Sequence, residues 1–204
     1  MTATRGRLVA LEGIDGCGKS TQARILAERL GAVSTFEPGA TKLGAALRSL
    51  LLDQDRISVA PRAEALLMAA DRAQHVAEVI APALESGTWV VTDRFAASTL
   101  AYQGFGRGLD RQELQFLVEW ATGGLRPDLT VLLDLPVATA AGRRGSGVED
   151  RMEAEGDAFL ERVAAGFREL AADDGSWLVV DAGLGVEEVA GIIAGAVDKL
   201  GDGR

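Results

Sequence analysis

Residues 13 to 20 read Gly13-Ile14-Asp15-Gly16-Cys17-Gly18-Lys19-Ser20, a complete G-x-x-x-x-G-K-S loop followed by Thr21. Its glycines open backbone conformations closed to other residues, so successive N–H groups can turn inward around an anion. Lys19 is spaced to reach the β- and γ-phosphates of a nucleotide, and the Ser20 hydroxyl is spaced to ligate Mg²⁺. Leu8 to Leu11 before the loop form a short apolar run, as in a buried parallel strand. Ala23, Leu26, Ala27 and Leu30 after it recur at helical spacing, which places the phosphates on a helix N-terminus. Cys17 is the only cysteine, so it has no partner for a disulfide and reads as a small filler.

A second anion site needs arginines, and the chain offers several. Asp93-Arg94 closes an apolar strand; Asp93 can serve the metal or its waters, and Arg94 can grip a phosphate with two N–H groups. Arg94, Ser98 and Tyr102 fall at i, i+4 and i+8 with Thr99 beside them, one helix side suited to a nucleoside monophosphate. A structural ion pair and an ordinary polar helix face give the same pattern. Met68 and Arg72 lie one turn apart, and Arg48 sits on a leucine-rich helix where it can also simply snorkel. His75, the only histidine, reads as a surface residue, because phosphoryl transfer needs no histidine base. Segment 142–156 carries Arg143, Arg144 and Arg151 among glycines and acids without apolar periodicity. Beside a phosphate loop it reads as a lid that brings arginines over the phosphates and excludes water.

The elements that must position these groups follow from the alternation of patterns. Short strands are expected at Leu8–Glu12, Ala32–Phe36, Trp89–Thr92, Leu129–Asp134 and Trp177–Asp181, with helical patterns between them. That alternation predicts an α/β fold with a five-stranded parallel sheet and helices on both faces. Ligands of such sheets sit at the carboxyl ends of the strands, where Asp15–Ser20, Glu37-Pro38-Gly39 and Asp93-Arg94 all fall. The 204 residues suit one domain spanning 1–204. A formal net charge of −9 argues against a nucleic-acid polymer as partner. The polar start, the single cysteine and the lack of a long apolar run predict a cytoplasmic protein with no signal peptide and no membrane span. There is no asparagine in the chain, so the N-K-x-D element that reads guanine in GTPase switches is absent. What remains is a small phosphotransferase.

Together these residues resemble thymidylate kinase, the nucleoside monophosphate kinase family that converts dTMP to dTDP. Leu11 to Thr21 looks like the family's first strand and P-loop, Glu37-Pro38-Gly39 like its E-P-G turn, and Leu47 to Leu52 like its R-S-L-L-L helix. Ala70 to His75 looks like its thymine-site helix, and Asp150-Arg151-Met152-Glu153 like the end of its lid. The most distinctive run is Asp93-Arg94-Phe95, Ser98-Thr99, Ala101-Tyr102-Gln103-Gly104 and Gly106-Arg107-Gly108.

The resemblance implies the P-loop nucleoside monophosphate kinase fold, a homodimer, and ATP with Mg²⁺ held by Gly13 to Thr21, Ser20 and Asp93. The acceptor dTMP is then held by Asp15, Glu37, Pro38, Arg48, Met68, Arg72, Arg94, Ser98, Thr99, Tyr102 and Gln103. In that scheme Asp15 accepts from the sugar 3′-OH, Arg48 and Arg94 hold the phosphate, Arg72 meets thymine O4, and Tyr102 crowds the 2′ position. Gly16 stands where some relatives carry a P-loop arginine, so Arg143, Arg144 and Arg151 are expected to complete catalysis with Lys19 and Arg94. Two positions depart from the family: Phe36 replaces an arginine, and Met68 replaces the phenylalanine that stacks on thymine. A kinase for another nucleotide or deoxynucleoside and a regulatory ATP-binding protein are the competing readings.

Overall fold

The computed structural model describes residues 5–52, 58–144 and 151–202. Five parallel strands, β1 (Leu8–Glu12), β2 (Val33–Phe36), β3 (Val90–Asp93), β4 (Leu129–Asp134) and β5 (Trp177–Asp181), form one sheet in the order β2-β3-β1-β4-β5. The strands lie where the apolar runs predicted, with β2 starting a residue later and β3 running 90–93, so that Asp93 ends the strand instead of following it. β1 is central, registered Leu11 to Asp93 on one side and Leu11 to Val131 on the other. This register brings the phosphate loop after β1 beside the Asp93-Arg94 turn after β3.

The two-residue period of β1 sorts its side chains into two cores. Val9 and Leu11 join Leu26, Val131 and Phe167 in the larger, while Leu8 and Ala10 join Ile80, Leu84 and Phe95 in the smaller. A strand buried on both faces is what a parallel sheet covered by helices requires. The helices are α1 (Lys19–Leu30), α2 (Lys42–Leu52), α3 (Pro61–His75), α4 (Ala81–Glu85), α5 (Ala96–Thr99), α6 (Arg111–Thr122), α7 (Val137–Arg144), α8 (Asp157–Asp173) and α9 (Val186–Asp202). Val76–Ile80 and Leu100–Gly106 are π-helical, the latter continuing α5. Asp110 caps α6 by accepting from Gln112 N and Glu113 N at 2.9 and 3.0 Å.

Candidate active site

The loop after β1 is built by glycine conformations. Gly13, Gly16 and Gly18 have φ of 139°, 87° and 98°. A Cβ on Gly13 would lie 2.7 Å from the Leu133 carbonyl oxygen, so the loop can pass this close to β4 only as glycine. Gly18 caps α1 without any side-chain bond, which leaves the first N–H groups of the helix to an anion. Lys19 is folded onto the loop, its ammonium donating to Ile14 O at 2.9 Å and lying 3.6 Å from Asp15 Oδ1. Ser20 Oγ donates to Asp93 Oδ2 at 2.5 Å. A hydroxyl and a carboxylate in contact, next to a phosphate cradle, form a hard-oxygen pair that fits Mg²⁺. Ser20 and Thr21 are both exposed at this opening.

Arg94 has φ 72° and is, among the described residues, the one non-glycine in the left-handed region. That conformation is unfavourable and persists only where the surroundings hold it. Here they do. Arg94 Nη1 donates to Gly13 O and Ser98 Oγ, both at 3.0 Å, while Nη2 donates to Asp15 Oδ1 at 2.6 Å and Tyr102 Oη at 3.0 Å. Behind the turn stands Glu12, fully buried. It accepts from Phe95 N at 2.9 Å, Ser98 N at 3.2 Å and Ser98 Oγ at 2.6 Å. Burial pushes the Glu12 carboxyl up, against the hydrogen bond from Ser98 and the charge of Arg94. Burial also acts to raise Asp15, but Arg94 and then Lys19 outweigh it and hold that carboxyl well below its usual range. The expected helix stripe of Arg94, Ser98 and Tyr102 therefore converges by another route: the helix starts at Ala96, and Arg94 reaches Ser98 and Tyr102 from a left-handed turn outside it.

Every residue expected at the acceptor lines one open cavity, joined by Leu52, Asp71 and Met152. Its polar wall is a buried network. Arg72 donates from Nε to Glu37 Oε2 at 2.8 Å, from Nη1 to Thr99 Oγ1 at 2.8 Å and from Nη2 to Phe95 O at 2.9 Å. His75 corrects the surface assignment. It is fully buried, with Nδ1 2.9 Å from Glu37 Oε1 and Nε2 2.6 Å from Thr35 Oγ1. Its burial follows from α3 presenting Glu64, Asp71 and His75 at i, i+7 and i+11 to one side. Asp71 Oδ1 accepts from Gly39 N at 3.0 Å, and burial, then the Glu37 charge, raise its carboxyl. Arg48 donates to Pro38 O at 2.7 Å and lies over the Phe36 ring at 6.0 Å. Phe36, half exposed, lines the phosphate side of the cleft and not the cavity that Met68 lines.

This cleft, with a phosphate loop on one side and an arginine-lined cavity on the other, can be set against known proteins. The family described as Thymidylate kinase matches residues 11–193. A thymidylate kinase from Synechococcus sp. (strain WH7803) is 55% identical over 196 residues, 91% of this chain and 92% of its own length. One from Prochlorococcus marinus (strain MIT 9313) is 53% identical over 196 residues, covering 91% of this chain and 90% of its own length. The chain belongs to the thymidylate kinase family. The crystal structure of thymidylate kinase from Ehrlichia chaffeensis has the same fold, with TM-score 0.76, 30% identity, and coverage of 95% of this chain and 99% of that one.

The segment expected to form a lid, 142–156, is only partly within the described residues: 145–150 lie outside them, as does the Arg144 side chain. Arg143, at the end of α7, donates to Ala182 O at 2.8 Å, beside the turn after β5. Arg151 turns the other way. It donates from Nε to Leu51 O at 2.7 Å, and its Nη2 lies 2.8 Å from Glu64 Oε2, an ion-pair contact outside hydrogen-bond alignment. The sequence motifs included Glu12 and Arg107 without giving either a role, and Glu64 was missed. Glu64, Asp71 and His75 at helical spacing were the available signal for a buried polar stripe on α3. Nothing local in the sequence marks Glu12, whose partners lie more than 80 positions away.

Proposed function

We propose that this chain transfers the γ-phosphoryl group of Mg²⁺-bound ATP to dTMP, giving ADP and dTDP, and acts as one kinase domain in the cytoplasm. The observation that carries the reading is the junction at Arg94. One guanidinium is shared between Gly13 of the phosphate loop and Asp15, Ser98 and Tyr102 of the acceptor cavity. It thus stands between the two substrates, where transferred charge must pass. In this reading the loop N–H groups and Lys19 hold the β- and γ-phosphates, and Ser20 and Asp93 hold the metal, which neutralises phosphate charge. Arg48 and Arg94 hold the acceptor phosphate, while Asp15, kept ionised by Arg94 and Lys19, accepts from the sugar 3′-OH. Arg72, Thr99 and Gln103 face the base, and Tyr102 closes the 2′ side. The reaction then needs positioning and charge neutralisation only, with no covalent intermediate. With Gly16 in the loop, the remaining positive charge is assigned to Arg143, Arg144 and Arg151 of the 142–156 segment.

A homodimer completes the reading. Leu43, Leu50, Leu66, Phe116 and Trp120 are exposed along α2, α3 and α6, where α3 packs against both α2 and α6; Phe116 and Trp120 are 73% and 76% exposed. Large apolar groups grouped in this way favour a second copy of the chain over water. No described helix is long and apolar enough to cross a membrane. The activity is tested by coupled ADP release with dTMP, dUMP, CMP, GMP and thymidine as acceptors. Turnover preferring dTMP is expected; turnover with none of them would leave an ATP-binding protein.

A further inference from the structure

Glu64, in the first turn of α3, is fully buried yet touches neither proposed substrate. A carboxylate so placed must be paired. Its Oε1 accepts from Gln103 Nε2 at 2.8 Å and Arg107 Nε at 3.2 Å, and its Oε2 accepts from Arg107 Nη2 at 3.1 Å and faces Arg151 Nη2 at 2.8 Å. Arg107 in turn pairs with Glu155 and reaches Met152 Sδ at 3.7 Å, so the charges in the cluster balance.

The orientation of a glutamine amide is ordinarily a choice between two similar flips. Here the partner removes the choice. A carboxylate facing two guanidinium groups is an acceptor only, so the amide atom that meets it must be the NH₂. Gln103 lines the acceptor cavity. With its NH₂ turned to Glu64, the amide atom left for a bound base is the carbonyl Oε1.

We propose that Glu64 is a specificity-positioning residue: by fixing the Gln103 amide it presents a hydrogen-bond acceptor to the base. That selects a pyrimidine whose ring nitrogen carries a hydrogen, as in thymine and uracil. Cytosine offers an acceptor at that nitrogen, so the two lone pairs face each other and neither is satisfied. The inference rests on the reading that the dTMP base occupies this cavity.

The substitution Glu64→Gln undoes the constraint. Two guanidinium groups face Oε2 and one N–H of Arg107 faces Oε1, so the new NH₂ falls on the Oε1 side, where Gln103 flips to accept from it and Arg107 Nε loses its acceptor. A second variant, Glu64→Met with Arg107→Met, removes an acid and a base together and leaves Gln103 without its partner. The experiment compares kcat/KM for dTMP and dCMP in the wild type and both variants, with thermal unfolding as the check on folding. The ratio cancels any general loss from the freed Arg151. The dTMP preference is expected to fall at least about tenfold in whichever variant folds. A preference kept within about twofold of wild type, with activity or stability reduced equally for both nucleotides, overturns the role of Glu64 alone. A wild-type protein with no preference for dTMP over dCMP overturns the acceptor-site reading, and this inference with it.

Discussion

Around Gly13–Ser20 the cleft is lined by backbone N–H groups of one short loop, with hydroxyls exposed at its mouth. Around Arg94 it is lined by charged side chains drawn from the loop after β1, α2, α3 and the turns after β2 and β3; Glu37, Asp71 and Arg72 are buried, Asp15 and Arg94 partly so, and Arg48 is exposed. The first kind of site recognises what every nucleoside triphosphate shares. The second recognises one acceptor, because each group in it is held by a partner and cannot adapt. The loop is bought with glycine conformations that eight consecutive residues encode. The pocket exists only once the sheet and helices have closed around it.

That contrast predicts separable damage. The largest effect is expected from Lys19→Ala, which should lower kcat by about 10³-fold, on the scale of losing one electrostatic stabiliser of the transition state, with dTMP affinity within about threefold of wild type. Single-turnover kinetics beside dTMP titration checks it; a parallel loss of dTMP binding would merge the two regions.

Next comes Gly44→Ala, aimed at the pocket scaffold alone. A Cβ on Gly44 would lie 2.3 Å from Asp71 Oδ1, so either the Asp71 carboxylate must leave Gly39 N or α2, which carries Arg48, must shift from α3. Overpacking of this kind costs about 1–3 kcal/mol, readable by denaturant unfolding, and should raise the KM for dTMP far more than that for ATP.

The loop was legible in the sequence because its chemistry is local: eight residues set both the conformation and the ligand. The parallel sheet was legible from its alternating apolar runs. Arg94 was legible as a cation at a strand end, but not its left-handed φ, which depends on Glu12 and Asp15 across β1. His75 was misread because its neighbours Gln74 and Val76 give no sign of burial; only the packing of α3 toward Thr35 and Glu37 decides it. Glu64 escaped notice, and Arg107 stood in a motif without a role, for the same reason: their pairing spans 43 positions.

A smaller effect should appear in pH dependence. The native carboxyl of Glu12 is raised by burial, so folding favours its protonated form; its contribution to stability is present at acid pH and lost as pH rises through the raised value. Support of the Arg94 turn runs oppositely, since the ionised carboxylate is the better acceptor for Phe95 N and for both Ser98 donors. The acid limb of kcat/KM for dTMP should therefore carry a component above the ordinary glutamate range that is lost in Glu12→Gln, while any part due to the raised Asp71 remains. Asp15 cannot produce that limb: its native value is depressed, so its ion pairs persist until the pH falls far below 3.8. A limb unchanged in Glu12→Gln would remove Glu12 from the account.

The smallest effect is expected from Met68→Phe. Restoring a ring against the base should lower the dTMP KM by a few-fold, since a thioether contact of about 0.3–1.5 kcal/mol gives way to an aromatic pair of similar or larger strength. An unchanged or higher KM would show that Met68 already stacks as well as this pocket allows.

The separation of the two regions is tested most directly by equilibrium titration of Arg94→Ala with dTMP and with a non-hydrolysable ATP analogue. Arg94 meets Gly13 only through a backbone carbonyl, but meets Asp15, Ser98 and Tyr102 through side chains. Loss of this charge-assisted clamp should weaken dTMP by about 100-fold or more while the ATP analogue stays within about threefold. Equal weakening of both ligands would contradict the account.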